Sequence, residues 1–79
     1  MASLQLLTRD ECGLCEDVAR DLQRLGCDFD TIDVERDEAL ERRYGEAIPV
    51  LLLNGREVAR APVDAESLKR ALSRAGVLP

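Results

Sequence analysis

Tryptophan and histidine are absent from these 79 residues, and phenylalanine and tyrosine occur once each. A chain so poor in aromatics has no platform on which the bases of a single strand could stack. Its core must instead be built from Leu, Val, Ile and Ala. Without histidine a structural metal site would fall to thiolates, and three cysteines are fewer than the four ligands such a site takes. Cations are in the minority: 11 Lys and Arg stand against 16 Asp and Glu, a net charge of −5. Affinity for duplex nucleic acid rests largely on Lys and Arg, so neither nucleic acid nor an anionic membrane is an expected partner. No apolar run approaches the ~20 residues that cross a bilayer. The opening Met1-Ala2-Ser3-Leu4-Gln5-Leu6-Leu7 lacks a basic segment, and its apolar stretch is too short for a secretory leader. A cytoplasmic location is expected, and an odd number of cysteines argues against a secreted disulfide framework. Repeats, low-complexity tracts and linkers are missing too, which leaves one domain over residues 1–79.

What is present has a clear period. Ser3 to Thr8 is a short apolar run suited to a buried strand. Leu14, Val18, Leu22 and Leu25 then fall on one helical face, with Glu16 and Asp17 in the first turn and Gly26 at the stop. Asp28 to Val34 reads as a second strand, and Asp37 to Tyr44 as a short helix ended by Gly45. Val50-Leu51-Leu52-Leu53 is continuously apolar, as a strand covered on both faces would be. Asn54-Gly55 follows at once and supplies the positive φ angles of a type I′ hairpin turn. Arg56 to Ala61 is the return strand, and Asp64 caps a last helix with Leu68, Ala71, Leu72 and Ala75 on one side. The order β-α-β-α-β-β-α begins with a right-handed parallel βαβ unit. It predicts an α/β fold: a mixed four-stranded sheet with helices on both faces.

Chemistry concentrates at Cys12-Gly13-Leu14-Cys15, between the first strand and the first helix. Residues i and i+3 on a helical turn are neighbours at about 5–6 Å, and a disulfide takes Cα atoms about 4.4–6.8 Å apart. The two sulfurs can therefore join and part with little backbone movement. Cys12 would sit at the helix N-terminus, where a thiolate is favoured, with Cys15 shielded one turn inside. An outer nucleophile backed by a resolving thiol is what a dithiol–disulfide cycle needs. A permanent disulfide, or two packed cysteines without activity, are the competing readings. Asp10, Glu11, Glu16 and Asp17 surround the motif, and like charges disfavour a thiolate. The pair is accordingly expected to be reducing. Cys27 lies apart from the motif and reads as a partly buried core thiol. Pro49 fits the start of the third strand, since it cannot donate to a sheet ladder.

These features together resemble the glutaredoxin-like branch of the thioredoxin-fold superfamily, over nearly the whole chain. The resemblance rests on Cys12-Gly13-Leu14-Cys15, on Tyr44-Gly45-Glu46-Ala47-Ile48-Pro49-Val50-Leu51, and on Asn54-Gly55 before a last helix. In particular the chain is similar to small bacterial glutaredoxin-like proteins of unassigned substrate that carry Leu-Cys-Glu after the first cysteine, here Leu14-Cys15-Glu16. The resemblance implies a minimal thioredoxin fold with sheet order 2-1-3-4 and the third strand antiparallel to the others. It implies that Pro49 is cis and packs beside the cysteine pair, and that the backbone of Ile48 pairs with the substrate's cysteine segment.

Departures from the family pattern bear on the substrate. Gly13 and Leu14 stand where a proline and an aromatic are usual. Arg9 is the one cation near the first cysteine that could hold the glycine carboxylate of glutathione. Ala61-Pro62-Val63-Asp64 replaces the glycine-rich turn that receives the γ-glutamyl end, with Asp64 matching the helix-capping acid. These departures count against glutathione, and no tightly bound cofactor or metal is expected.

The expected function is thiol–disulfide exchange: Cys12 attacks a substrate disulfide and Cys15 resolves the mixed disulfide. Arg9, Ile48, Pro49 and Asp64 are the candidate substrate-binding residues. The substrate would be a disulfide-containing protein or glutathione, a cellular thiol would be the reductant, and the chain would act as a monomer. A non-enzymatic thioredoxin-fold binding module is the alternative. A third reading, which some relatives suggest, is an iron–sulfur cluster bridged between two subunits through Cys12.

Overall fold

Along β1 (Leu4–Thr8), Leu4, Leu6 and Leu7 are buried, and this strand lies inside the sheet. In a computed structural model describing residues 3–79, α1 (Gly13–Arg24), β2 (Asp30–Asp33) and a 3-10 turn (Val34–Arg36) follow. Then come α2 (Glu38–Tyr44), β3 (Val50–Leu53), β4 (Arg56–Arg60) and α3 (Ala65–Arg74). Met1 and Ala2, where the stretch expected not to be a leader begins, lie outside the described residues. The strands run in the order β2-β1-β3-β4. β1 pairs parallel with β2, while β3 is antiparallel to both β1 and β4. This is the minimal thioredoxin fold and the α/β architecture that the sequence predicts.

The unbroken apolar run of β3 has the expected cause. Leu51 faces a cluster with Leu4, Leu6, Val18, Leu22, Leu68 and Leu72, so α1 and α3 cover that side. Val50 and Leu52 face the other way, onto Leu7, Val34 and Tyr44 beside α2. Asn54 at φ +52 and Gly55 at φ +84 form the turn into β4. The Asn54 side chain also accepts the Ser3 N–H at 2.9 Å, tying the hairpin to the start of β1. At the end of α1, Gly26 takes φ +76. The Cys27 N–H can then reach back to the Leu22 carbonyl at 3.0 Å, closing the helix. Among the described residues no helix is long and apolar enough to cross a membrane.

Two elements differ from the pattern. β2 covers Asp30–Asp33 rather than 28–34, because the Asp33 side chain accepts the Glu35 N–H at 2.9 Å and turns the chain out of the ladder. Leu14, expected on the buried face of α1, is 60% exposed. Cys15 takes the inward place with Val18 and Leu22, and Leu14, in the first turn of α1, falls at the edge of that face roughly 100° from Cys15. Asp17 likewise falls just beyond the first turn, whose acid is Glu16.

Candidate functional site

The sheet delivers the cysteine motif at the end of β1, where the chain must turn into α1. Cys12 is the cap residue of that helix, in extended conformation. Its Sγ accepts the Cys15 N–H at 3.1 Å, and its carbonyl accepts the Glu16 N–H at 3.1 Å. Cys12 and Cys15 are joined as a disulfide with their Cα atoms 5.2 Å apart, inside the range their spacing allows. Cys12 is half-buried and Cys15 only 3% exposed. The outer sulfur thus already receives a helix N-terminal N–H, which favours negative charge there.

Just before the motif, Glu11 sits at φ +58, a region that residues with a Cβ enter at a cost of roughly 1–2 kcal/mol. Glu11→Gly is therefore expected to leave folding stability unchanged or raise it by up to about 1 kcal/mol, the strain relieved being partly offset by glycine's greater unfolded entropy. Denaturant midpoints of the two proteins check this. A clear loss of stability would mean that the Glu11 side chain holds the turn.

Arg9 is engaged by the 3-10 turn and by α2. Its Nη2 donates to Glu41 Oε1 at 2.8 Å and to the Gly45 carbonyl at 2.9 Å, and its Nη1 donates to Glu35 Oε1 at 3.4 Å. The hydrogen bond with Glu41 leads in raising the guanidinium above its ordinary value. Gly45 ends α2 in right-handed conformation, so its importance is space: a Cβ there would meet the Glu41 carbonyl oxygen at 2.5 Å. Sequence spacing gave no sign of this clasp between the Cys12 loop and α2. Glu35, Glu41 and Gly45 belong to elements that meet Arg9 only in three dimensions.

Ile48 and Pro49 lead into β3, and the peptide between them is cis, as is Ala61–Pro62. Pro49 is fully buried, and its carbonyl accepts the Ala61 N–H at 3.0 Å. The half-buried Ile48 forms no backbone hydrogen bond to the described residues. A groove of about 610 Å³ opens beside the motif, lined by Leu14 and Val18 of α1, by Pro49, and by the turn into α3. Leu14, Pro49 and Asp64 are thus brought to one cleft, while Cys12, Cys15, Ile48 and Arg9 are not among its walls.

A family model described as glutaredoxin-like domain (DUF836) matches residues 3–73. The chain belongs to this family. It is similar to an uncharacterized protein of Mycobacterium tuberculosis, at 36% identity over 90% of this chain and 82% of that one. Among solved structures, a protein from X. campestris superposes with a TM-score of 0.79 at 36% identity, covering 91% of this chain and 97% of its own. A buckwheat glutaredoxin in complex with glutathione gives 0.63 at 19% identity, covering 99% of this chain and 83% of its own. At that identity the likeness is one of fold. Fold, family and the Cys12–Cys15 disulfide together support thiol–disulfide redox function in general.

In this glutaredoxin-like domain Asp64 caps α3, accepting the Ser67 N–H at 2.8 Å. That backbone hydrogen bond leads in holding its carboxyl below the ordinary value of 3.8. A depressed folded value means that the cap stabilises fully above the unfolded value and is lost as pH falls through the lower folded one. The stability gap between the native protein and Asp64→Asn is accordingly expected to narrow below about pH 4, as the carboxyl begins to protonate. Denaturant midpoints between pH 7 and pH 3 check it. A gap that widened in acid would contradict the cap.

Cys27 is a free, half-buried thiol packed against the Leu22–Leu72 side of the core. Burial, and secondarily the charge of Asp28, push it above its ordinary value. It stands apart from the groove and makes a poor nucleophile.

Proposed function

We propose that this domain is a thiol–disulfide oxidoreductase. The observation that carries the reading is the half-buried Cys12 at the head of α1, its Sγ hydrogen-bonded by the Cys15 N–H and linked to a buried Cys15. In the reduced protein the Cys12 thiolate attacks one sulfur of a substrate disulfide. A Cys12–substrate disulfide forms and the other substrate sulfur leaves as a thiolate. Cys15 then gives up its proton and attacks the Cys12 sulfur, releasing the second substrate thiolate and closing the Cys12–Cys15 bond. Two electrons have passed to the substrate, and an external thiol returns them.

Ile48, with its N–H and C=O unpaired within the described chain, is positioned to hold an extended substrate segment, and Pro49 forms the wall beside it. We assign Arg9 to bracing the Cys12 loop through Glu41, and Asp64 to the rim of the groove. A disulfide-bearing protein is the favoured substrate. Glutathione, present in the buckwheat complex, is the alternative as substrate or reductant, and Arg9 would have to leave Glu41 to grip its carboxylate. We place the protein in the cytoplasm, acting as a monomer.

Cys15→Ser separates this reading from that of a binding module. Mixed with a model peptide disulfide, the variant is expected to hold one peptide on Cys12 as a stable adduct visible by mass. The doubly substituted Cys12→Ser, Cys15→Ser protein should hold none. Absence of any adduct on Cys15→Ser would leave the cysteines as packing residues.

A further inference from the structure

Leu14 is the one large apolar side chain that stands exposed among the described residues, and it lies between the two cysteines on the wall of the groove. Val63, half-buried, lines the same groove, as do the almost fully buried Val18 and Pro49. Around it acids outnumber cations. Asp17, Asp21 and Asp64 line the groove, and Arg20, the single cation on its walls, stands 3.4 Å from the Asp17 carboxylate. Asp10, Glu11 and Glu16 add negative charge along the approach to Cys12. A second cation, Arg70, lies beside the groove with its Nη2 3.5 Å from the Ser67 hydroxyl, while Arg9 is bound to Glu41. Arg20 and Arg70 together stand against Asp10, Glu11, Glu16, Asp17, Asp21 and Asp64, so negative charge outweighs positive around the groove and its approach by six to two.

We infer that this groove selects cationic polypeptide: an extended segment whose half-cystine has an apolar neighbour for Leu14 and a Lys or Arg for the Asp17 and Asp21 side. The inference rests on the redox reading above and names its substrate class. Peptide is favoured over a small disulfide because Ile48, next to the groove-lining Pro49, makes no backbone hydrogen bond to the described residues and can take up an extended segment. A cation is favoured because opposite charges at the rim speed encounter and suppress the wrong partner. Oxidised glutathione presents carboxylates to the same walls and is disfavoured by the same charges.

The test compares three substrates, with dithiothreitol returning the two electrons consumed in each turnover. They are a disulfide peptide with two lysines beside its half-cystine, the same peptide with two glutamates, and the uncharged 2-hydroxyethyl disulfide. The lysine peptide is expected to exceed the glutamate peptide in kcat/KM by about tenfold at low salt, the scale of electrostatic steering. That ratio should shrink toward one near 1 M salt, where the screening length is about 3 Å. Reversing the groove with Asp17→Lys and Asp21→Lys should invert the preference. Reduction of the uncharged disulfide with equal rates for the two peptides would overturn the inference and leave the redox reading standing. Failure to reduce any of the three would remove both.

Discussion

Replacing Cys12 with serine is expected to lower disulfide turnover by on the order of 10³-fold or more, the scale on which loss of a nucleophile acts. The fold should hardly notice. Cys12 caps α1 by accepting the Cys15 N–H, and a serine hydroxyl is among the preferred groups for that position. A hydroxyl, however, stays protonated at neutral pH where a thiol at a helix N-terminus loses its proton. The substitution therefore keeps the structural role and deletes the chemical one. Rates of peptide disulfide reduction, with melting curves of both proteins under reducing conditions, check the two halves together. An active Cys12→Ser protein would move the chemistry elsewhere. Loss of the fold would mean that the sulfur does more than cap.

Leu6→Ala is expected to have the largest effect on stability. Leu6 is fully buried on the central strand β1, between α1 and α3, among Leu4, Val18, Leu22, Leu51, Leu68 and Leu72. Truncating such a leucine costs about 2–5 kcal/mol, from lost transfer energy and the cavity left behind. At roughly 0.05–0.15 kcal/mol per residue, a chain this size has a total stability of only about 4–12 kcal/mol. Each kcal/mol moves the melting midpoint of so small a domain by about 4–8 °C. A fall of at least about 10 °C is expected by calorimetry. A shift of only a degree or two would show that helices α1 and α3 collapse onto the gap, and that the core is looser than its burial indicates.

The features legible in the sequence are those fixed by neighbours along the chain. Asn54-Gly55 announces the hairpin because few other pairs accept two positive φ angles, and Gly26 announces the end of α1 for the same reason. Cys12 and Cys15 announce their meeting because three residues make one helical turn. What escaped depends on packing, most of it with partners far away in sequence. Leu14 shares its spacing with Val18 and Leu22, yet in the first turn of α1 the buried place belongs to Cys15 and Leu14 lies at the surface. Arg9 reads as a cation near the first cysteine, yet Glu41 and the Gly45 carbonyl claim it, and no local pattern records that contact. The acidic groove was half visible. Asp17 and Asp21 mark a charged helix face, but the cleft exists only once Pro49 and the Pro62–Asp64 turn come up against α1.

The midpoint potential of the Cys12–Cys15 couple tests the central claim most directly, read by alkylating the thiols after equilibration in buffers poised with glutathione or dithiothreitol. Acidic neighbours weaken the thiolate that stabilises the reduced form, so a reducing couple is expected, between about −300 and −200 mV. Both cysteines should be labelled together in one two-electron transition while Cys27 stays a thiol throughout. A disulfide that resists reduction well below about −300 mV, as structural disulfides do, or two sulfurs that label independently, would contradict the account.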